Sequence, residues 1–456
     1  MSFKDMAREF MHHVPLAKFH PVLLTCLKEY DSRMLSRDIS AGLTVGMVAL
    51  PLAMPFGIAS GVPPESGLYT AIIAGFLISL LGGCRVQIGG PAGAFVVIIY
   101  GIIAQYGLSN LMLATLGSGV ILFLMGLFKI GGFIKFIPVS IVIGFTNGIA
   151  VMIGLQQVKD FLGLTVAKMP ADFFGQVNTI INNIGTINPW AFGLALASFL
   201  IVKFWPKGYQ MSGPQWKRWL AHLPGTVVVL VLSTIIVTVF GLPVETIGSK
   251  FGGIPQSLPS LQIPDLEWDT AKQLLGPMIT IAVLGSIESL LCARVADTMT
   301  DDRHDPNQEL MGQGVANMIV PFFGGIPATG TIARTVTNIK SGAFSPVAGM
   351  VHAITLLVVI LAAAPLASNI PLCALAAILV FVAWNMGNWR EFLRLRSMTL
   401  SYKATLLITF FLTVIFDLTV AVQFGLVVAC VFFLMRMNNL TVVEPVSYTH
   451  LTLPTT

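Results

Sequence analysis

Apolar runs follow one another from residue 39 to residue 436, parted by short polar or Gly/Pro-rich segments. A helix crossing a bilayer needs about 20 apolar residues, fewer where it is interrupted. The pattern predicts spans at 39–60, 66–82, 91–105, 109–128, 134–156, 188–205, 222–240, 274–297, 308–323, 330–341, 346–366, 371–386, 403–421 and 423–436. Two of these fourteen are short, 91–105 and 330–341. Residues 1–38 are mixed and charged and show no cleavable leader pattern, so the first span is expected to insert by itself.

The short spans follow matching stretches. Gly89-Gly90-Pro91-Ala92-Gly93-Ala94 leads into one and Gly324-Gly325-Ile326-Pro327-Ala328-Thr329-Gly330 into the other, with Pro91 and Pro327 236 residues apart. Ile137-Pro138 and Ile370-Pro371 open later spans at an offset of 233 residues. Two nearly equal offsets predict two seven-span halves. Seven is odd, so the second half must enter the membrane from the opposite side. The expected fold is an all-α membrane protein of 14 transmembrane segments in a 7+7 inverted repeat, with half-helices as spans 3 and 10.

Composition agrees with this reading. The chain is 55% hydrophobic and 10% charged, against roughly 25% charged residues in soluble domains. With a cytoplasmic N-terminus, 21 of the 26 lysines and arginines fall in inside segments and four (Lys159, Lys168, Lys250, Lys272) outside, leaving Arg334 within a span. That asymmetry predicts both termini on the cytoplasmic side, and the expected location is the cell inner (plasma) membrane. The net charge of +5 lies in short loops, which argues against a nucleic-acid partner. The five cysteines are scattered without a CxxC, and the histidines form no metal-spaced pair. No nucleophile–base pair, metal cluster or phosphate loop points to an enzyme.

Half-helices that start at mid-membrane leave their first N–H groups unpaired, and each start carries roughly half a positive charge. Two facing starts would cradle an anion. The expected contacts are Ala92, Gly93 and Ala94 on one side and Thr329, Gly330 and Thr331 on the other. Pro91 and Pro327 suit helix starts, and Gly93 and Gly330 would let a ligand reach the backbone. Arg334, one turn into the second half-helix, would add a full charge. Glu288 lies within an apolar span, where an ionised group costs roughly 2.5–3.5 kcal/mol; it is the expected coupling residue, a proton carrier. The repeat offset maps it onto Ala53-Met54, so Leu52 and Phe56 of the first span are expected to wall the site. Asp297 and Arg294 are expected to face water, and His352 and Asp417 to make interhelical contacts. Gly119, with no repeat partner, is expected to tolerate a side chain better than Gly93.

The segments AGLTVGMVALPLAMPFGIASGVPPESGLYTA, GGCRVQIGGPAGAFVVI, GSIESLLCARVAD and TGTIARTVTNIKSGA closely resemble the SulP (sulfate permease) family of anion transporters, from about residue 36 to 440. Within it the chain looks most like the bacterial DauA-type branch that moves four-carbon dicarboxylates. The resemblance implies a core of spans 1–4 and 8–11 and a gate of spans 5–7 and 12–14 within a transporter domain at 39–436. It implies an elevator motion and a homodimer, with Arg334 as an anion contact and Glu288 as the coupling carboxylate. Three departures qualify it. Leu52 stands where many members have Gln, and Glu288 with Cys292 replaces the Asp and Thr of the sodium-coupled branch, which makes sodium less expected than a proton. The chain also ends about 20 residues after its last span, where members continue into a STAS domain. Residues 437–446 are read as the start of a truncated cytoplasmic region and 447–456, SYTHLTLPTT, as non-native. The expected activity is proton-coupled uptake of succinate, fumarate or aspartate, with sulfate or bicarbonate transport as the alternative. No other cofactor is expected.

Overall fold

The computed structural model describes residues 16–132, 139–166, 169–205, 224–253, 260–261, 272–415 and 424. Its main helices are α1 (Ser32–Ala59), α2 (Pro64–Leu81), α3 (Gly93–Tyr106), α4 (Leu108–Leu127), α5 (Val139–Leu162), α6 (Pro189–Phe204) and α7 (Gly225–Phe240). They continue as α8 (Leu275–Thr300), α9 (Pro306–Ile319), α10 (Ile332–Lys340), α11 (Val347–Ala367), α12 (Leu372–Met386) and α13 (Leu400–Ile415). Each expected span from 39–60 to 371–386 falls on one of these helices, and the described part of 403–421 falls on α13. The span expected at 423–436 lies outside the described residues apart from Phe424.

Among the described residues, six helices are long and apolar enough to cross a bilayer unaided, and α3, α6, α7, α11 and α13 are shorter apolar helices. The ends follow local chemistry. Asp31 accepts from the Met34 N–H at the start of α1, Asp305 from Asn307 and Gln308 at the start of α9, and Asn188 from Trp190 at the start of α6. Pro189 and Pro306 take first-turn positions, where a missing N–H costs nothing. Apolar periodicity gave no notice of the short helix Phe173–Asn182, which Asp172 caps between α5 and α6.

The most extensive helix contacts fall into two groups, which meet where α3 touches α5 and where α1 touches α7 and α12. In the first, α4 lies on α9 and α8, α11 lies on α1 and α2, and α2 lies on α9. In the second, α5 packs on α12 and α13, and α6 on α12 and α7. Adding seven to a helix number turns one contact into another. The α1–α11 contact matches α8–α4, α2–α11 matches α9–α4, α1–α10 matches α8–α3, and α5–α13 matches α12–α6. The α4–α9 seam is close because glycine faces backbone there. A Cβ on Gly119 would stand 2.6 Å from the Met318 nitrogen and 2.8 Å from the Gly314 oxygen. This corrects the expectation that Gly119 is tolerant: it sits where two helix backbones touch.

At one end of α1, buried Asp38 accepts hydrogen bonds from the Phe344 and Ser345 N–H groups, the Ser345 hydroxyl and the Tyr30 hydroxyl. It ties the α10–α11 connection to α1. Burial, then the bond to Asp38, pushes the Tyr30 phenol up to about 12, so this donor stays protonated at physiological pH.

Candidate functional site

Just before α3, and again just before α10, the chain runs extended. The two stretches meet as β1 (Gly89–Gly90) and β2 (Thr329–Gly330), an antiparallel pair with Gly89 opposite Gly330 and Gly90 opposite Thr329. Helix α3 starts just after β1 and α10 just after β2. Pro91 lies two residues before α3 and Pro327 five before α10. This corrects the expectation that the prolines open the helices: they belong to the extended approach, which needs no proline N–H.

Extended backbone inside an apolar bundle must find its hydrogen bonds within the protein. Here each half of the chain supplies the other. The Ile88 N–H donates to the Thr335 hydroxyl at 3.0 Å, and the Ile88 carbonyl accepts from the Thr331 N–H and hydroxyl, each at 2.9 Å. Asn338 donates to the Val86 carbonyl at 2.9 Å. Before β2, the Thr70 hydroxyl accepts from the Ile326 N–H at 2.8 Å, and Asn317 holds both the N–H and the carbonyl of Ala328 at 2.8 and 2.9 Å. Buried Glu309 accepts from the Gly83 and Cys84 N–H groups and the Ser289 hydroxyl, while the Gln87 amide donates to Ser289.

The helix starts themselves are left open. Neither Ala92 before α3 nor Thr331 before α10 caps its helix with a side chain, and neither first turn holds an acidic residue. Two uncompensated positive ends therefore stand at the two ends of one small β pair.

Arg334 is 1% exposed, so it does not reach an aqueous interface. Its Nη2 lies 3.4 Å from the Pro91 carbonyl, and its Nη1 has no hydrogen-bond partner. Gly90, at φ +151°, makes room for it, since a Cβ there would stand 2.5 Å from Nη1. The arginine of the second half-helix is thus lodged under the start of the first. Gly330 makes room in the same way, its Cβ position lying 1.9 Å from the Gln87 amide nitrogen.

Gly93 has a different neighbourhood. A Cβ there would lie 3.4 Å from Phe56 Cε1, 3.4 Å from Ile153 Cδ1 and 3.5 Å from Met386 Sδ. Leu52, Phe56, Ala92 and Ala94 share one apolar cluster with Ile153, and Met386 packs against it. Glu288 stands on α8, one turn beyond Gly285, whose carbonyl accepts from the Thr329 hydroxyl of β2 at 3.0 Å. Its Oε2 is buried without a partner. His352 on α11 is also buried, with both ring nitrogens unpartnered. Arg294 is exposed, as expected, whereas Asp297 is only partly exposed and pairs with His304 at 2.7 Å. Asp417 lies outside the described residues.

Two cavities flank the site at opposite ends of α5. One, of about 430 Å³, is lined by Val139 and Val142 of α5 with Ile287 and Arg294 of α8. The other, of about 290 Å³, is lined by Gln156, Gln157 and Lys159 of α5 with Ile58 and Tyr100 of the first helix group. Sequence reading missed the polar residues that hold the extended segments. Glu309, Gln313 and Asn317 recur every fourth residue in α9, and that one-sided polar stripe within an apolar helix was the available signal.

Broken helices whose starts meet inside an apolar bundle define a multi-pass membrane transporter of the discontinuous-helix kind. The chain belongs to the Sulfate permease family, whose profile matches residues 35–411. This is a family of anion transporters, not of enzymes. The chain is 46% identical over 420 residues to the putative sulfate transporter YvdB of Bacillus subtilis, covering 91% of this chain and 76% of that one. It is 33% identical to the bicarbonate transporter BicA of Picosynechococcus, covering 90% and 72%. The solved transmembrane domain of a cyanobacterial BicA superposes with a TM-score of 0.75 at 32% identity, covering 88% of this chain and 98% of that chain. Murine Solute Carrier 26 family member A9 shares the fold, with a TM-score of 0.77 at 18% identity over 95% of this chain and 75% of that chain.

Proposed function

We propose that the chain is the membrane domain of a secondary transporter that carries a small anion on the facing starts of α3 and α10. The observation that carries this reading is the β1–β2 pair, which brings together two helix starts with neither a side-chain cap nor a first-turn acid. The contacts are Ala92, Gly93 and Ala94, with Thr329, Gly330, Thr331 and Arg334 opposite, and Leu52 and Phe56 beside them. Glu288 is the proton carrier, because a carboxylate with one oxygen buried and unpartnered gains from neutralisation. The matched helix contacts support an inverted repeat of seven and seven. The two packing groups support a core that moves against a gate, exposing the site first to one cavity and then to the other. Both termini are cytoplasmic in this reading, and the membrane-embedded chain works as a homodimer.

The apolar side chains around Gly93 favour an anion with a carbon skeleton, a four-carbon dicarboxylate. The relatives, a putative sulfate transporter and a bicarbonate transporter, favour a second reading, a small inorganic oxyanion. Reconstituted protein in liposomes, offered labelled succinate, sulfate and bicarbonate at two pH values with and without sodium, tests both. Succinate uptake that rises as external pH falls is expected. Uptake of sulfate or bicarbonate alone would overturn the dicarboxylate reading, and an absolute sodium requirement would overturn proton coupling.

A further inference from the structure

The start of α3 is faced from the second helix group by two side chains, Ile153 of α5 and Met386 at the end of α12. Helices α5 and α12 pack along each other, and just beyond Met386 the Asn147 amide of α5 bonds both the N–H and the carbonyl of Asn388. Ile153 is 1% exposed, and its Cδ1 would lie 3.4 Å from a Cβ on Gly93. Phe56 closes the same spot from α1.

An anion seated on the α3 start must therefore lie against a thioether and a sec-butyl group. Such atoms offer no hydrogen bond, and a buried oxygen turned toward them goes unsatisfied. A methylene turned toward them is well placed. We infer that Ile153 and Met386 form a substrate ruler: one carboxylate sits on the α3 start and the two side chains limit how many methylene groups follow it. This rests on the substrate site and the dicarboxylate reading proposed above. It also divides the labour between the helix groups, the first holding charge and the second measuring the apolar body.

The test is competition against labelled succinate in liposomes by malonate, succinate, glutarate and adipate, using full-length protein. Met386→Ala and Ile153→Ala enlarge the space from two different helices. Each is expected to move the best competitor to a longer acid and to improve glutarate relative to succinate roughly 10-fold, the scale of one methylene in an apolar pocket. Gly154→Ala, on α5 with nothing within 4 Å of its Cβ position, is expected to keep the wild-type order. An unchanged order in both alanine variants, with affinity lost equally for all four acids, overturns the ruler. Gly93→Val separates the two claims. If that variant still transports, the site itself is misplaced. If it is dead while the competitor order is unmoved by Met386→Ala and Ile153→Ala, only the ruler falls.

Discussion

Glu288 and Arg334 are the two ionisable side chains of the proposed site, and their surroundings predict different phenotypes. Glu288 has a buried carboxylate oxygen with no donor, so its charge state is free to follow the transport cycle. Glu288→Gln fixes the neutral form and is expected to abolish the pH dependence of uptake. Wild-type pH dependence in that variant would exclude Glu288 as the carrier. Arg334 supplies one full charge beneath the α3 start, while the helix ends supply roughly half a charge each. Arg334→Ala is therefore expected to weaken a dianion more than a monoanion, measured as the ratio of their competition constants. Gly93 offers the sharpest steric probe. The branched methyls of Gly93→Val would meet Phe56, Ile153 and Met386, and transport is expected to vanish while the protein still inserts. The matched control is Gly101→Val on the same helix, where nothing lies within 4 Å of the Cβ position. Gly119 cannot serve, since a valine there would part α4 from α9.

At the level of the element, the half-helices exist because polar residues elsewhere accept their irregular approaches. Asn317 is the clearest case, binding both the N–H and the carbonyl of Ala328 just before β2. Asn317→Leu is nearly the same size but leaves the Ala328 N–H unpaired. A buried unpaired group of this kind costs about 1–3 kcal/mol. The variant is expected to unfold at a lower temperature in detergent and to lose transport, because β2 and the α10 start would no longer be fixed. Unchanged melting together with normal uptake would show that the loop finds other donors. The short spans were legible as elements because Gly and Pro interrupt the apolar pattern. Their starts were less so: the residues after Pro91 and Pro327 belong to the extended approach, which only the pairing of β1 with β2 explains.

Across the whole molecule, α5 runs from one cavity to the other, with Ile153 between them against Gly93. Lys159 lines the smaller cavity, and its neighbour Lys250 is the lysine that pairs with Asp160, at 3.3 Å, and with Glu245, at 3.6 Å. Among the described residues no carboxylate forms an ion pair with Lys159. It is placed to draw anions toward the site from that side. Lys159→Gln is expected to raise the KM for a dianion several-fold at low salt, with the difference shrinking as ionic strength rises. An effect independent of salt would assign Lys159 to packing.

The sequence by itself determined the membrane class, the order of the helices and the two interrupted spans. These follow from apolar length, Gly/Pro punctuation and the cost of a bare backbone in lipid, all local properties of the chain. It also named Glu288 and Arg334, because an ionisable group within an apolar run stands out without coordinates. Tertiary structure decided what those residues meet. Ile153 and Met386 read as ordinary apolar span residues, and nothing local separates them from their neighbours. Glu309, Gln313 and Asn317 read as a polar stripe whose partners, the Gly83–Cys84 and Ala328 backbones, lie up to 226 residues away. The tolerance of a glycine likewise depends on what another helix places against it. Contacts of that range are fixed by how the helix groups pack, and no periodicity along the chain encodes them.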